Sequence, residues 1–106
     1  MDIKTYEKME ARARIIKAMA HSTRLFIIEE LSRGEKCVCE LTEMIGSDMS
    51  TVSKHLSVMK NAGIVHDRKE GSTVYYGLKV PCVLNFFKCV ESVLKANARE
   101  QLELVK

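Results

Sequence analysis

Four cysteines, Cys37, Cys39, Cys82 and Cys89, carry the side chains of this 106-residue chain best suited to chemistry. Two of them stand one residue apart in EKCVCEL, Glu35 to Leu41, just after a glycine. A thiolate is a nucleophile and a soft-ion ligand, so the pair points to a soft ion or to reversible oxidation. Residues i and i+2 of an α-helix point about 200° apart, so two such thiols share one ion only if one lies outside the helix. The simplest arrangement puts Cys37 at the N-cap, Glu40 in the capping-box position and Cys39 in the first turn. Unpaired N–H groups and the positive helix end there favour thiolate over thiol. A disulfide between C-x-C neighbours is expected to be strained, so an oxidised bridge should run to Cys82 or Cys89. Those two are seven apart, on one helical face, and either complete the ligand set or pack in a subunit interface. Cys82, after Pro81 at a helix start, is expected to be the more reactive of the two.

The rest of the composition narrows the class. The length suits one small domain, and nothing is low-complexity. The opening MDIKTYEKMEARARI alternates charged and apolar residues, unlike a signal peptide, and no apolar run approaches a membrane span. A soluble, cytoplasmic protein with no membrane partner is expected, and there four cysteines are more often free thiols or ligands than structural disulfides. The net charge of +3 is modest, but residues 47–80 carry five basic and three acidic side chains, with Lys54, Lys60, Arg68 and Lys69 close together. No Gly-rich phosphate loop, catalytic carboxylate pair or Ser/His/Asp set is present, so no enzyme is expected. A thiol oxidoreductase or metal carrier would want C-x-x-C on a βαβ pattern, which is also missing.

Periodicity supplies the elements that must hold these residues. Tyr6, Met9, Ala13, Ile16 and Ala20 recur at helical spacing, predicting a first amphipathic helix. Ser22 is a plausible cap for a second, about Thr23 to Arg33, with Leu25, Ile28 and Leu31 on one side. Val38, Leu41 and Ile45 mark a short third helix closed by Gly46. Asp48 caps a fourth, lined by Val52, Leu56 and Met59 and ended near Gly63. Ile64–Lys69 and Thr73–Leu78 then alternate around Glu70, Gly71 and Ser72 as a β-hairpin. After Pro81, CVLNFFKCVESVL is apolar around most of a helix and needs cover, most simply from a second subunit.

A short helix, a tight turn and a longer capped helix followed by a hairpin make a winged helix-turn-helix, mainly α with a β-hairpin (α+β). On the fourth helix Ser50, Lys54, Ser57 and Asn61 form a small, polar, basic stripe opposite the apolar one. Ser50, Thr51, Ser53, Lys54 and Ser57 are the candidate contacts in a major groove, and Arg68 and Lys69 on the hairpin suit backbone phosphates. Any solvent-facing helix can carry such a stripe, but the basic hairpin beside it agrees. His55 lies only about 60° from the apolar centre, so it reads as a hydrogen-bonded residue at the edge of the core.

The span from Ala20 to Leu78 resembles the ArsR/SmtB family of metal-responsive winged-helix repressors, through STVSKHL at Ser50–Leu56 and NAGIV with RKEGSTVYY within Asn61–Tyr76. CVCEL is similar to the motif of the family's arsenic-repressor type. The resemblance implies one winged helix-turn-helix domain over 1–106, with dimerisation helices at 1–20 and 81–106, the helix-turn-helix at 37–63 and the wing at 64–80. It implies a homodimer on double-stranded operator DNA that needs no cofactor to bind and is released by As(III) or Sb(III). Cys37 and Cys39 would be the ligands, with Cys82 and Cys89 as tentative further ones. The arsenic repressor has another cysteine where this chain has Thr42, so only two of three thiolates are at hand. The mixed His and carboxylate ligands of the family's zinc sensors are not matched. A thiol-redox or persulfide-sensing repressor of the same fold is the alternative.

Overall fold

Helices form where apolar residues recur with a helical period beside a capping group, and the chain switches to strands where they alternate. In the computed structural model, which describes residues 1–106, α1 spans Ile3–Lys17, α2 Ser22–Leu31, α3 Val38–Ile45, α4 Met49–Asn61 and α5 Val83–Leu104. Between them lie β1 Lys36–Cys37, β2 Val65–Glu70 and β3 Thr73–Leu78. Asp2 caps α1, its carboxylate accepting from the Thr5 N–H at 2.7 Å. His21, not Ser22, caps α2: its Nδ1 accepts from the Thr23 N–H at 3.1 Å. Asp48 does occupy the N-cap of α4, but its carboxylate makes no cap bond to the backbone and accepts instead from the Ser50 hydroxyl at 2.8 Å.

The strands form an antiparallel three-stranded sheet in the order β1-β3-β2, where the sequence predicts only a hairpin. Strand β1 has two residues, too few to show a period, and so it escapes a sequence reading. It pairs Lys36 with Tyr76 and Cys37 with Tyr75. Glu70 pairs with Thr73, leaving Gly71 and Ser72 as the turn, and Gly71 takes a φ of +63°. The sheet therefore reaches beyond the hairpin to the chain just before α3.

The core gathers Ile27, Ile28 and Leu31 of α2, Leu41 of α3, Val52, Leu56 and Met59 of α4, and Ile64, Val65 and Tyr76 around the sheet. Leu25, expected on the buried side of α2, is 39% exposed; Ile27 takes its place, because α2 is covered on the side of α4 and β3. Helix α1 buries no side chain and α5 buries only Val83. The molecule measures 57 × 43 × 23 Å with a radius of gyration of 17.0 Å, against about 13 Å for a compact domain of this length. Its accessible surface is 7579 Å², above the roughly 6,000 Å² of a folded monomer of its mass. No helix is long and apolar enough to cross a membrane.

Candidate nucleic-acid interface and thiol site

Helix α4 sits after the turn at Gly46–Asp48, where Gly46 adopts φ +80° and its N–H closes α3 on the Thr42 carbonyl. Val52, Leu56 and Met59 lock one side of α4 into the core. The opposite side leaves Ser50, Thr51, Lys54, Ser57 and Asn61 exposed. The Thr51 and Ser50 hydroxyls hold the Asp48 carboxyl below the usual carboxylate range. Ser53 is half-buried and lines a cavity of about 280 Å³ between α3, α4 and the wing, together with Val38, Cys39, Met49, Thr73 and Val74. Lys60 is bound to Asp67 of β2 at 2.9 Å, which ties the end of α4 to the wing and raises the Lys60 pKa.

His55 is half-buried, with Nδ1 accepting from Arg24 Nε at 3.1 Å and its ring centroid 4.5 Å from that of His21. Burial, then the charges of His21 and Arg24, lower its pKa. This is the hydrogen-bonded position at the core edge that its place on the helix predicts, and it joins α4 to the start of α2.

On the wing, Arg68 and Lys69 are exposed. Arg68 Nε donates to Glu35 at 2.8 Å and Nη1 to Glu70 at 2.7 Å, while the guanidinium lies 4.6 Å from the centre of the Tyr75 ring. Those two carboxylates, Glu70 first, raise the Arg68 pKa further above its ordinary value. The Glu35 contact was not foreseen, because it joins positions 33 residues apart.

The cysteine pair is built as the capping argument requires. Cys37 is the N-cap of α3, with φ −76° and ψ 159°; its Sγ accepts from the Glu40 N–H at 3.2 Å, and Glu40 Oε1 accepts from the Cys37 N–H at 3.2 Å. Cys37 is buried and Cys39 exposed. The two are joined as a disulfide with Cα atoms 5.3 Å apart, which corrects the expectation of a bridge to Cys82 or Cys89. Cys37 is an extended N-cap outside the helix, so the two side chains are not held about 200° apart as residues i and i+2 of a helix would be. Cys82, at the N-cap of α5, and Cys89, within it, are free and exposed. Within the protomer no three His, Cys, Asp or Glu side chains converge as a metal site, and the Thr42 hydroxyl donates to the Val38 carbonyl at 2.7 Å.

Away from this face, an apolar groove of about 380 Å³ runs between α1, α2 and α5, lined by Ile16, Met19, Leu25, Phe86, Val90 and Leu94 among others. Phe86 is 48% and Leu94 58% exposed.

The sequence profile of bacterial regulatory proteins of the arsR family matches residues 21–67. An uncharacterised HTH-type transcriptional regulator of Methanocaldococcus jannaschii is 38% identical over 88 residues, 82% of this chain and 99% of that protein. A cadmium resistance regulatory protein CadC homologue of Staphylococcus aureus is 46% identical over 62% of this chain. The arsenical resistance operon repressor of Escherichia coli is 38% identical over 60% of it. The matched regions span 55% and 56% of those last two proteins. Among solved structures, the homodimeric winged helix-turn-helix DNA-binding domain of a possible ArsR-family regulator from Mycobacterium bovis superposes with a TM-score of 0.77 at 28% identity, covering 94% of this chain and 93% of that one.

Proposed function

Since this chain belongs to the ArsR family of bacterial regulatory proteins, a winged helix-turn-helix family of transcriptional regulators, we propose that it is a homodimeric repressor released from its operator when a trivalent arsenical or antimonial binds the Cys37 and Cys39 thiolates. Double-stranded DNA would meet Ser50, Thr51, Lys54 and Ser57 of α4, with Ser53 at the rim, and Arg68 and Lys69 of the wing. All of these are the protein's own groups, so DNA binding needs no cofactor. The groove between α1, α2 and α5 is the face a second subunit would cover, which matches the excess surface of the isolated protomer.

One observation carries the reading. Cys37 belongs at once to the capping box of α3 and to the strand paired with Tyr75 of the wing. Tyr75 in turn stands opposite Arg68. A ligand that draws Cys37 and Cys39 onto one atom reshapes the start of α3, which supports α4, and the edge of the sheet that carries Arg68. Both DNA-contacting elements then feel one binding event. The residues fit two of the three bonds that As(III) makes to sulfur; the third is not supplied within the protomer.

The coupling should lie in the usual range, so arsenite is expected to weaken operator binding by about 5–150-fold. A gel shift at fixed salt measures it, and reduced Cys39→Ser protein should bind DNA normally and ignore arsenite. Unchanged affinity with arsenite would end the sensor reading. The Cys37–Cys39 disulfide favours a second reading, in which oxidation of the same pair is the signal. There a mild oxidant, with no metal present, would release DNA from the wild type and not from Cys39→Ser.

A further inference from the structure

One group at the tip of α4 does not suit a groove lined with phosphates. Asp48 is the sole acidic residue between Glu43 and Asp67, and it stands at the end of the helix that would reach base edges first. We propose that the Asp48 carboxylate is a specificity-determining group, accepting a hydrogen bond from the N4 amino group of a cytosine in the major groove. This assignment rests on the repressor reading above and adds to it one base that the protein recognises.

The surroundings of Asp48 favour it. An Asp at an N-cap ordinarily accepts from a backbone N–H of the first turn, and this one makes no such bond. None of the ion pairs of the chain includes it. The Thr51 and Ser50 hydroxyls keep the group ionised, and Ser50 donates to Oδ2 at 2.8 Å. Ser50 belongs to the exposed stripe that continues with Lys54 and Ser57, so the carboxylate is held on the side of α4 that would face DNA. A carboxylate accepts up to about four hydrogen bonds, which leaves capacity for a base.

Charge then selects the base. Phosphates repel a carboxylate whatever the sequence, so Asp48 lowers affinity for DNA in general and is offset only where a base edge offers a donor. Guanine shows two acceptors in the major groove and thymine one, and all of them repel it. Adenine offers N6 but sets its own N7 acceptor beside that donor. Cytosine offers N4 with no acceptor of its own next to it. The rest of the stripe cannot make this choice, since a hydroxyl both donates and accepts and Lys54 suits guanine or a phosphate.

The test selects duplexes from a random-sequence pool with reduced, metal-free, full-length protein, and repeats the selection with Asp48→Asn and Asp48→Ala. The wild type should enrich sites with a C·G pair at one fixed position of each half-site, and changing that pair to T·A should weaken binding about tenfold per half-site. Replacing only the cytosine by pyrimidin-2-one, which lacks the 4-amino group, should weaken the wild type as much and leave Asp48→Ala unaffected. Asp48→Asn should move the preference to adenine, whose N6 and N7 an amide can bond together, and should bind unselected duplex more tightly than the wild type. Asn serves an N-cap as well as Asp does, so the melting curve of Asp48→Asn should match the wild type and its altered preference reports base recognition alone. Base preferences that are the same in all three proteins overturn the inference and leave the repressor reading standing. Failure of the wild type to enrich any sequence overturns both.

Discussion

Glu35 is two residues from Cys37 in the chain and one ion pair from the wing, and this position gives it a larger role than its exposed carboxylate suggests. Its contact with Arg68 is a surface pair of little intrinsic worth, but together with the Glu70 contact it keeps that guanidinium held by protein rather than available to a phosphate. Glu35→Gln combined with Glu70→Gln should free Arg68, raise operator affinity and steepen the dependence on salt by about one unit per added phosphate contact. Binding measured from low to moderate salt reads this out; an unchanged slope would mean that Arg68 already reaches DNA in spite of both carboxylates. His55 offers a second check. Its pKa lies below the ordinary 6.5, so the unfolded chain takes up a proton more readily than the folded one. The stability linked to His55 is therefore fully present above about pH 6.5 and is given up as pH falls below it. Arg24, whose Nε donates to the ring at 3.1 Å, adds to the loss when protonation places a second positive charge beside it. Urea unfolding at pH 7.5 and 5.5 should show a smaller pH effect in His55→Gln than in the wild type.

Helix α3 is only eight residues long and would be marginal alone, so its position comes from what surrounds it. The capping box at Cys37 and Glu40 fixes its start, Gly46 its end, and Leu41 its single fully buried anchor. Leu41→Ala is expected to cost about 2–5 kcal/mol, seen as a lower denaturation midpoint with little change in the slope of the transition. These features were readable in advance, because each depends on residues within one turn of each other: Cys37 as N-cap, Glu40 three residues on, the glycine at the close. Strand β1 was not. Its two residues carry no period, and the strand exists only because β3 offers an edge to pair with. The same contact overturns the expected disulfide partners, since it holds Cys37 extended, outside the helix that carries Cys39.

The whole molecule is elongated because its first and last helices find too little of their own chain to cover them. Ile16, Phe86, Val90 and Leu94 line a groove open to solvent, and a second protomer is the simplest cover. Leu94→Glu, at a position 58% exposed in the protomer, should leave folding intact, shift sedimentation from dimer to monomer and weaken binding to a two-fold operator by about 100-fold, since each monomer then holds one half-site. A dimer that survives the charge would place the subunit contact elsewhere. By itself the sequence determined the five helices, the reading helix with its polar stripe, the hairpin and the helix-start geometry of the cysteine pair, because caps, glycines and periodicity act over a few residues. Only the tertiary structure decided that Cys37 is a strand residue of the sheet, that Glu35 holds Arg68, that Leu25 stays exposed and that Cys39 borders a cavity shared by α3, α4 and β3. Each of those joins segments distant in sequence, and such contacts are set by which surfaces pack together, a property that no local spacing records.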